Sequence, residues 1–224
     1  MIFTVDPNCI RLGLRAAAFV LHDATIGPTP AALRDLAASE VASLRARFAD
    51  VGAIRAAPEI GALHAIYRQI GVNPRRALPA SQRLAQMALS RGALPEINNL
   101  VDAYNIVSAR SLCCLGAHDL GRLTPPVTLQ LLTGVESFTP LGTSEKEAVR
   151  AGEFGYVDAD HRVLCRLDVM QAEETKVRAA TTEILVIVEG TAEHADALEG
   201  AFRDAMELTT RFCGGHAEII RGAR

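Results

Sequence analysis

An α+β fold follows from three features of this 224-residue chain. Apolar residues recur at helical spacing through most of the first half. The second half breaks into short alternating segments separated by turn residues, which reads as a mixed sheet. One run there, Ile184 to Val188, is aliphatic throughout, as in a strand buried on both faces. No repeat, low-complexity tract or long linker divides the chain, so a single domain over residues 1–224 is expected.

The elements are justified in order. Arg11, Gly13 and Arg15 alternate with Leu12 and Leu14, which predicts a strand pair near the start. Thr29 and Pro30 fit an N-cap and first helical residue, and Leu33, Leu36, Val41, Leu44 and Phe48 continue at helical spacing. A second helix opens at Pro58, runs through Ile60, Leu63, Ile66 and Tyr67, and stops at Gly71. Ser81 to Arg91 forms a third, closed by Gly92, and Pro95 opens a fourth. Val127, Leu129 and Leu131 mark one strand and Val163, Cys165 and Leu167 another, with Asp158 to His161 as a hairpin turn. Thr191 caps a last helix through Leu198, Phe202, Ala205 and Leu208, which ends at Gly214 and Gly215 before a terminal strand around Ile219 and Ile220.

A hydrophobic content of 49% supplies a sizeable core. No stretch approaches the ~20 apolar residues that span a bilayer, and the start MIFTVDPNC lacks the basic-then-apolar order of a signal peptide. A cytoplasmic protein without a membrane partner is expected. Cys9, Cys113, Cys114, Cys165 and Cys213 are odd in number and form no CxxC pair, as for small buried thiols in a reducing compartment with no metal to hold. Cys114 with His118 as its base is the one nucleophile pairing that sequence proximity offers.

The formal net charge of −3 hides an asymmetry, since residues 1–110 carry 12 arginines against 8 acids and the acids gather in the rest. Between Glu59 and Glu96 there is no acid, while Arg68, Arg75, Arg76, Arg83 and Arg91 lie there together with His64. Guanidinium groups offer a planar fork of donors that suits phosphate, so this stretch is the expected RNA-facing surface. The acidic overall balance argues against indiscriminate nucleic-acid binding, and no DNA partner is expected.

The run Leu94 to Asn105, LPEINNLVDAYN, puts short polar side chains into a segment with helical apolar spacing. Asn98, Asp102 and Asn105 fall on one face, with Ile97, Leu100, Val101 and Tyr104 on the other. Asn and Asp compete for backbone hydrogen bonds inside helices, so several in register point to a site facing an enclosed hollow. The chain has no P-loop, dinucleotide fingerprint, paired-histidine metalloprotease motif or serine nucleophile elbow, which excludes those chemistries and implies no cofactor.

LPEINNLVDAYN, followed by SLCCLGAHDL, VTLQLLTGVESFTPLG and AGEFGYVDADHRVLCRLD, resembles in order and spacing the editing module of the beta chain of phenylalanyl-tRNA synthetase. That B3/B4 domain also occurs free-standing, and the resemblance runs from about Ile66 to Glu189. It implies a B3/B4-like α+β fold in which Asn98, Asn99, Asp102 and Asn105 match the family's VD-x-x-N helix beside an editing cavity. Where related beta chains read PLHAFD, this chain reads CLGAHD: Gly116 stands at the position of the pocket histidine, His118 replaces the aromatic residue, and Asp119 keeps the acid. Glu153 and Asp168 are the next carboxylates expected near the pocket, and Thr181 and Thr182 resemble the family's pocket threonine.

The resemblance implies hydrolysis of the ester joining an amino acid to the terminal ribose of a mischarged tRNA, in trans, because the chain lacks an adenylate-forming core. Asp102, His118 and Glu153 are then the expected catalytic residues. Asn98, Asn99, Asn105, Asp119, Asp168 and Thr181 are expected to bind substrate, and the five arginines to bind tRNA. Such an ester is already activated, so positioning a water, stabilising the oxyanion with amides and relaying one proton through a carboxylate or His118 are enough, without a metal. Two alternatives stay open: a non-catalytic module that holds tRNA or an aminoacyl end, and an enzyme or sensor for an amino-acid derivative that reuses the cavity.

Overall fold

The strands divide between two sheets, with two of the helices laid against one of them and a third meeting both. In the computed structural model, which describes residues 3–220, the chain runs β1 (Phe3–Val5), α1 (Pro7–Arg11), β2 (Leu14–His22), α2 (Ala31–Arg47), α3 (Val51–Arg55), α4 (Pro58–Gln69), α5 (Ala80–Arg91) and α6 (Asn99–Ser111). It continues through β3 (Cys114–Asp119), β4 (Val127–Leu131), β5 (Phe154–Val157), β6 (Val163–Arg166), β7 (Met170–Gln171), β8 (Ile184–Thr191), α7 (Ala195–Cys213) and β9 (His216–Ile220). One sheet has the order β3-β8-β2-β9 and is antiparallel throughout. The other has the order β1-β4-β5-β6-β7, with β1 parallel to β4 and the remaining pairs antiparallel. No described helix is long and apolar enough to cross a membrane.

Strand β8 shows why the layers stack as they do. All eight of its residues are buried, and successive side chains point to opposite faces. Ile184, Val186 and Val188 join Phe19 and Leu21 of β2 under helices α6 and α7, whose Leu100, Val107, Ala201 and Ala205 complete that core. Leu185 and Ile187 face the other way, against Leu129, Phe154 and Tyr156 of the second sheet and Ile66 and Tyr67 of α4. The aliphatic run therefore lies between a helical layer and a second sheet. A separate core of Leu44, Ile54, Ile60, Leu63 and Ala85 ties α2 to α5.

Several element limits differ from the sequence expectation. Pro7–Arg11 is a short helix capped by Asp6, whose carboxylate accepts from the Asn8 N–H, and the strand expected across Arg11 to Arg15 begins only at Leu14. Helix α2 starts at Ala31 with Pro30 as N-cap, because the Thr29 hydroxyl is taken by Asp102. Helix α6 starts at Asn99 rather than Pro95: the Asn98 side chain accepts from the Val101 N–H and closes the first turn, and a side-chain cap decides the start. Leu167 leaves the line of β6 with φ +53°, and Thr191 ends β8 without capping α7. Strand β1 and its pairing with β4, 124 residues away, have no local signal.

Asn99 fixes how α6 meets its surroundings. Its Oδ1 accepts from the Gly27 N–H at 2.9 Å, while Nδ2 donates to Thr25 O and Phe212 O, each at 2.9 Å. One buried amide thus joins the β2–α2 loop and the end of α7 to α6. Asn99→Ala leaves three backbone groups without their partner and is expected to destabilise the fold by about 3 kcal/mol, against about 1 kcal/mol for loss of the cap in Asn98→Ala. Urea unfolding midpoints at unchanged slope check the difference.

Candidate functional site

A cavity of about 120 Å³ lies between the two sheets. The strand register sets one wall. Cys114 pairs with Glu189, Gly116 with Ile187 and His118 with Leu185, and directly paired residues project to the same face. Cys114, Gly116 and His118 therefore share the inter-sheet space with Ile187 and Glu189. Tyr156 and Cys165 face them from the other sheet, Asp168, Val169 and Gln171 come from the β6–β7 segment, and Ala80 and Tyr104 close the side toward α5 and α6. A Cβ added at Gly116 would meet no atom within 4 Å, so the glycine widens the cavity on that wall.

The cavity holds two carboxyl groups and one imidazole, and no lysine or arginine. Glu189 is 2% exposed. The Tyr156 hydroxyl donates to its Oε2, and its Oε1 has no partner. Burial first, and then the negative charge of Asp168, push the Glu189 carboxyl up to about 8. Burial also raises Asp168, but that group accepts from the Tyr67 hydroxyl and from the Cys114 thiol at 3.2 Å. The donors oppose that rise at Asp168, whereas Glu189 has a single donor, so of the two carboxyls Glu189 is the more readily protonated. His118 is driven down to about 4 by burial and is a neutral imidazole, with Nδ1 3.0 Å from the Thr175 hydroxyl.

Cys114 and His118 both reach the cavity but do not form a nucleophile–base pair. Four residues along one strand separate them by roughly 13 Å. Burial and the charge of Asp168 raise the Cys114 thiol well above its ordinary range, so it serves as a donor.

The cavity adjoins a broader trough of about 350 Å³, with which it shares Ala80, Tyr104, Leu115 and Val169. Leu84, Met87, Val101 and the 61%-exposed Ile97 make the trough largely apolar, and Arg83, Asn105 and Ser108 are its polar members. Glu189, Asp168 and His118 line only the inner cavity, and the trough has no carboxylate, imidazole or thiol.

The structure thus brings four of the expected site residues together. His118 and Asp168 line the cavity, and Asn105 and Arg83 line its mouth. The polar face of α6 otherwise turns elsewhere, and the helix meets the cavity through Tyr104 from its apolar side. Asn98 is the cap and Asn99 the brace described above. Asp102 accepts from the Thr29 hydroxyl at 2.5 Å and from the Ile97 N–H at 2.9 Å, beside a separate hollow that also contains Arg34 and Glu96. Glu153, expected as a catalytic carboxylate, is bound to Arg166 at 2.6 Å across the β5–β6 pair, outside the cavity. Asp119 accepts from the Thr181 hydroxyl at 2.7 Å and from the Gly121 N–H, so these two residues brace a turn.

Of the expected tRNA contacts, Arg68 and Arg75 line an open hollow with Arg55 and His64. Arg76 and Arg91 are exposed. Glu189 and Tyr156 had no place among the expected site residues. Glu189 carries one sequence signal: it is the carboxylate that next follows Leu185 and Ile187 on the alternation of a wholly apolar strand. Among the described residues, no group of three or more His, Cys, Asp or Glu side chains is arranged to hold a metal ion.

Comparison with known proteins fits this architecture. Residues 62–211 match the family model described as the B3/4 domain. No curated protein matches. Among solved structures, the chain is similar to the crystal structure of an N-terminal fragment of the phenylalanyl-tRNA synthetase beta-subunit from Pyrococcus horikoshii, with 12% identity and a TM-score of 0.54 over 99% of this chain. The chain spans about half, 51%, of that fragment.

A carboxyl held at about 8 when folded and near 4.5 when unfolded makes stability depend on pH in a defined direction. Below pH 4.5 both states are protonated and burial of Glu189 carries no ionisation penalty; above pH 8 the folded state must hold a buried charge. Stability is expected to fall by a few kcal/mol between those limits. Glu189→Gln, which mimics the protonated acid, is expected to flatten that fall, as measured by denaturant unfolding at pH 5 and pH 9.

Proposed function

Because the chain belongs to the B3/4 domain family, we propose that it clears mischarged tRNA in trans by hydrolysing the ester between the amino acid and the terminal ribose. The observation that carries this reading is an inter-sheet cavity of about 120 Å³ with one unpartnered polar atom, Glu189 Oε1, beside a trough that shares four of its lining residues. An apolar cavity of roughly 150 Å³ holds a benzene ring, so this one has the size of an amino-acid side chain. The side chain enters the cavity, and the ester and terminal nucleoside stay in the trough. Arg68, Arg75, Arg76, Arg83 and Arg91 form the face assigned to tRNA.

The geometry divides the roles. Glu189 reads the buried side chain: as a neutral acid its free oxygen donates to an acceptor or accepts from a hydroxyl, and a side chain that leaves it unpaired is rejected. Gly116 sets how wide that side chain is. On this reading the Asn105 amide at the mouth holds the carbonyl oxygen as charge develops there, while a water attacks the carbonyl carbon and the ribose oxygen leaves with the proton. An activated ester held in one orientation beside a fixed water gains most of its acceleration from positioning.

One observation favours a second reading, a module that holds the aminoacyl end without cleaving it. The trough contains no general base. A panel of misacylated tRNAs separates the two: hydrolysis faster than in buffer supports the enzyme, and binding without release of amino acid supports the module. An amino-acid sensor is separated from both by thermal stabilisation with free amino acids and indifference to tRNA.

Under the enzymatic reading, Gly116→Val fills the vacated wall. It is expected to lower kcat/KM at least 10-fold for the largest side chain cleared while leaving alanyl esters nearly unchanged, a discrimination of about 1–3 kcal/mol. A uniform loss for all substrates would point to misfolding of the wall and would count against a role for Gly116 in selectivity.

A further inference from the structure

Charge pairing on this protein is uneven. Arg34, Arg47, Arg110, Arg162, Arg166 and Arg178 each meet a carboxylate within 4 Å. Other arginines have no such partner among the described residues, and three of them gather around the far end of α4. An open hollow of about 480 Å³ is lined there by Arg55, His64, Arg68 and Arg75, with Gly71, Val72, Asn73 and Pro74 as its floor and no acid among them. A fourth guanidinium belongs to the same place, since a Cβ built on Gly71 would lie 3.6 Å from an Arg150 nitrogen. None of these four arginines is within ion-pair distance of a carboxylate among the described residues. Two of them, Arg55 and Arg150, lie outside the acid-free stretch of sequence.

We propose that this hollow is a binding site for the phosphodiester backbone of an RNA strand, held by Arg55, Arg68, Arg75 and Arg150. The inference rests on the reading that tRNA is the partner, and it adds where the polymer away from its charged end is held. Four cations from three separate segments, α3, α4 with its following loop, and the loop before β5, converge without a counter-charge. Such an arrangement is self-repulsive until an anion arrives. The carboxyl end of α4 supplies only about half an elementary charge, too little to balance them. His64 registers the same field: burial first, and then Arg55 and Arg68, press its imidazole below the ordinary value despite its bond to Gln82 at 2.7 Å. Guanidinium forks match phosphate oxygens in pairs, and the hollow is open enough to admit a strand passing over it.

The test measures binding of unacylated tRNA across salt concentrations, with the double variant Arg55→Gln/Arg68→Gln beside the unchanged protein. The control is Arg45→Gln/Arg211→Gln, which removes two exposed cations elsewhere. Loss of two phosphate contacts is expected to weaken binding 10-fold or more at low salt. It is also expected to reduce the slope of log affinity against log salt by about 1.5 to 2. The control is expected to change neither by as much, and Arg55→Lys/Arg68→Lys is expected to recover part of the affinity and show that the fold is intact. If the unchanged protein binds tRNA and the Gln variant binds it equally well with the same slope, the hollow is not the site and the tRNA reading stands. If the unchanged protein binds no tRNA at low salt, both fall together.

Discussion

Strand β8 is covered on both faces, and the rest of the molecule is arranged around the carboxyl group that interrupts its apolar run. Its alternation sends Ile184, Val186 and Val188 to the helices and Leu185, Ile187 and Glu189 into the space between the sheets. A carboxyl at that depth with one donor is unfavourable as an anion, because nothing replaces the water it has lost. Departures of this kind, where a residue breaks the local pattern of its own strand, concentrate where a protein does something other than fold.

Asp168 shows what the same environment does to an acid that is properly partnered. Tyr67 reaches it from α4 and Cys114 from β3, and Cys114 in turn lies 3.3 Å from the Ser81 hydroxyl of α5. One carboxylate therefore joins two helices, one sheet and the turn after β6. Removing any donor would leave buried charge uncompensated, which is costly and keeps the walls in place. The two acids differ in role for that reason: Asp168 is held on every side and fixes the shape of the cavity, while Glu189 keeps an oxygen free for whatever enters it. Packed interiors close most gaps larger than a water molecule. This gap persists because Gly116, opposite Ile187, provides nothing to fill it and the network on the facing wall does not collapse inward.

The sequence made the layers legible and misplaced much of the chemistry. Helical spacing with Pro and Gly punctuation located α4 and α5 almost to the residue, and the uninterrupted run at Ile184 revealed a strand covered on both sides. It could not reveal that the cover consists of a second sheet, because β1 pairs with β4 across most of the chain. The polar residues of α6 were read as one face looking into a hollow. Asn98, Asn99 and Asp102 instead satisfy a helix start and the loops packed against it, the commonest use of short polar side chains near an N-terminus. Glu153 failed for a similar reason: a carboxylate at a strand start found an arginine on the neighbouring strand. Gly116 and His118, which the resemblance singles out in CLGAHD, lie on one face of β3 and line the cavity.

The positions of the remaining polar groups separate recognition from reaction. All the ionisable side chains of the cavity lie behind Tyr104, Leu115 and Val169, and the trough in front of them offers an amide, a hydroxyl and one guanidinium. A base buried that deep cannot reach an ester whose side chain already fills the cavity. If the ester is hydrolysed, its proton must travel by water along the mouth or directly to the departing ribose oxygen, and the protein contributes orientation and a fixed dipole for the oxyanion. The demands then fall on three separate scales. On the proposed reading the cavity distinguishes side chains by width and by one hydrogen bond, the trough receives the part common to every substrate, and the polymer is held at the arginine hollow around the end of α4, with Arg83 alone reaching the trough. On the proposed reading selectivity and turnover are separable by mutation: a change at Gly116 or Glu189 would alter which substrate is accepted, whereas a change at Asn105 would alter how fast every accepted substrate reacts.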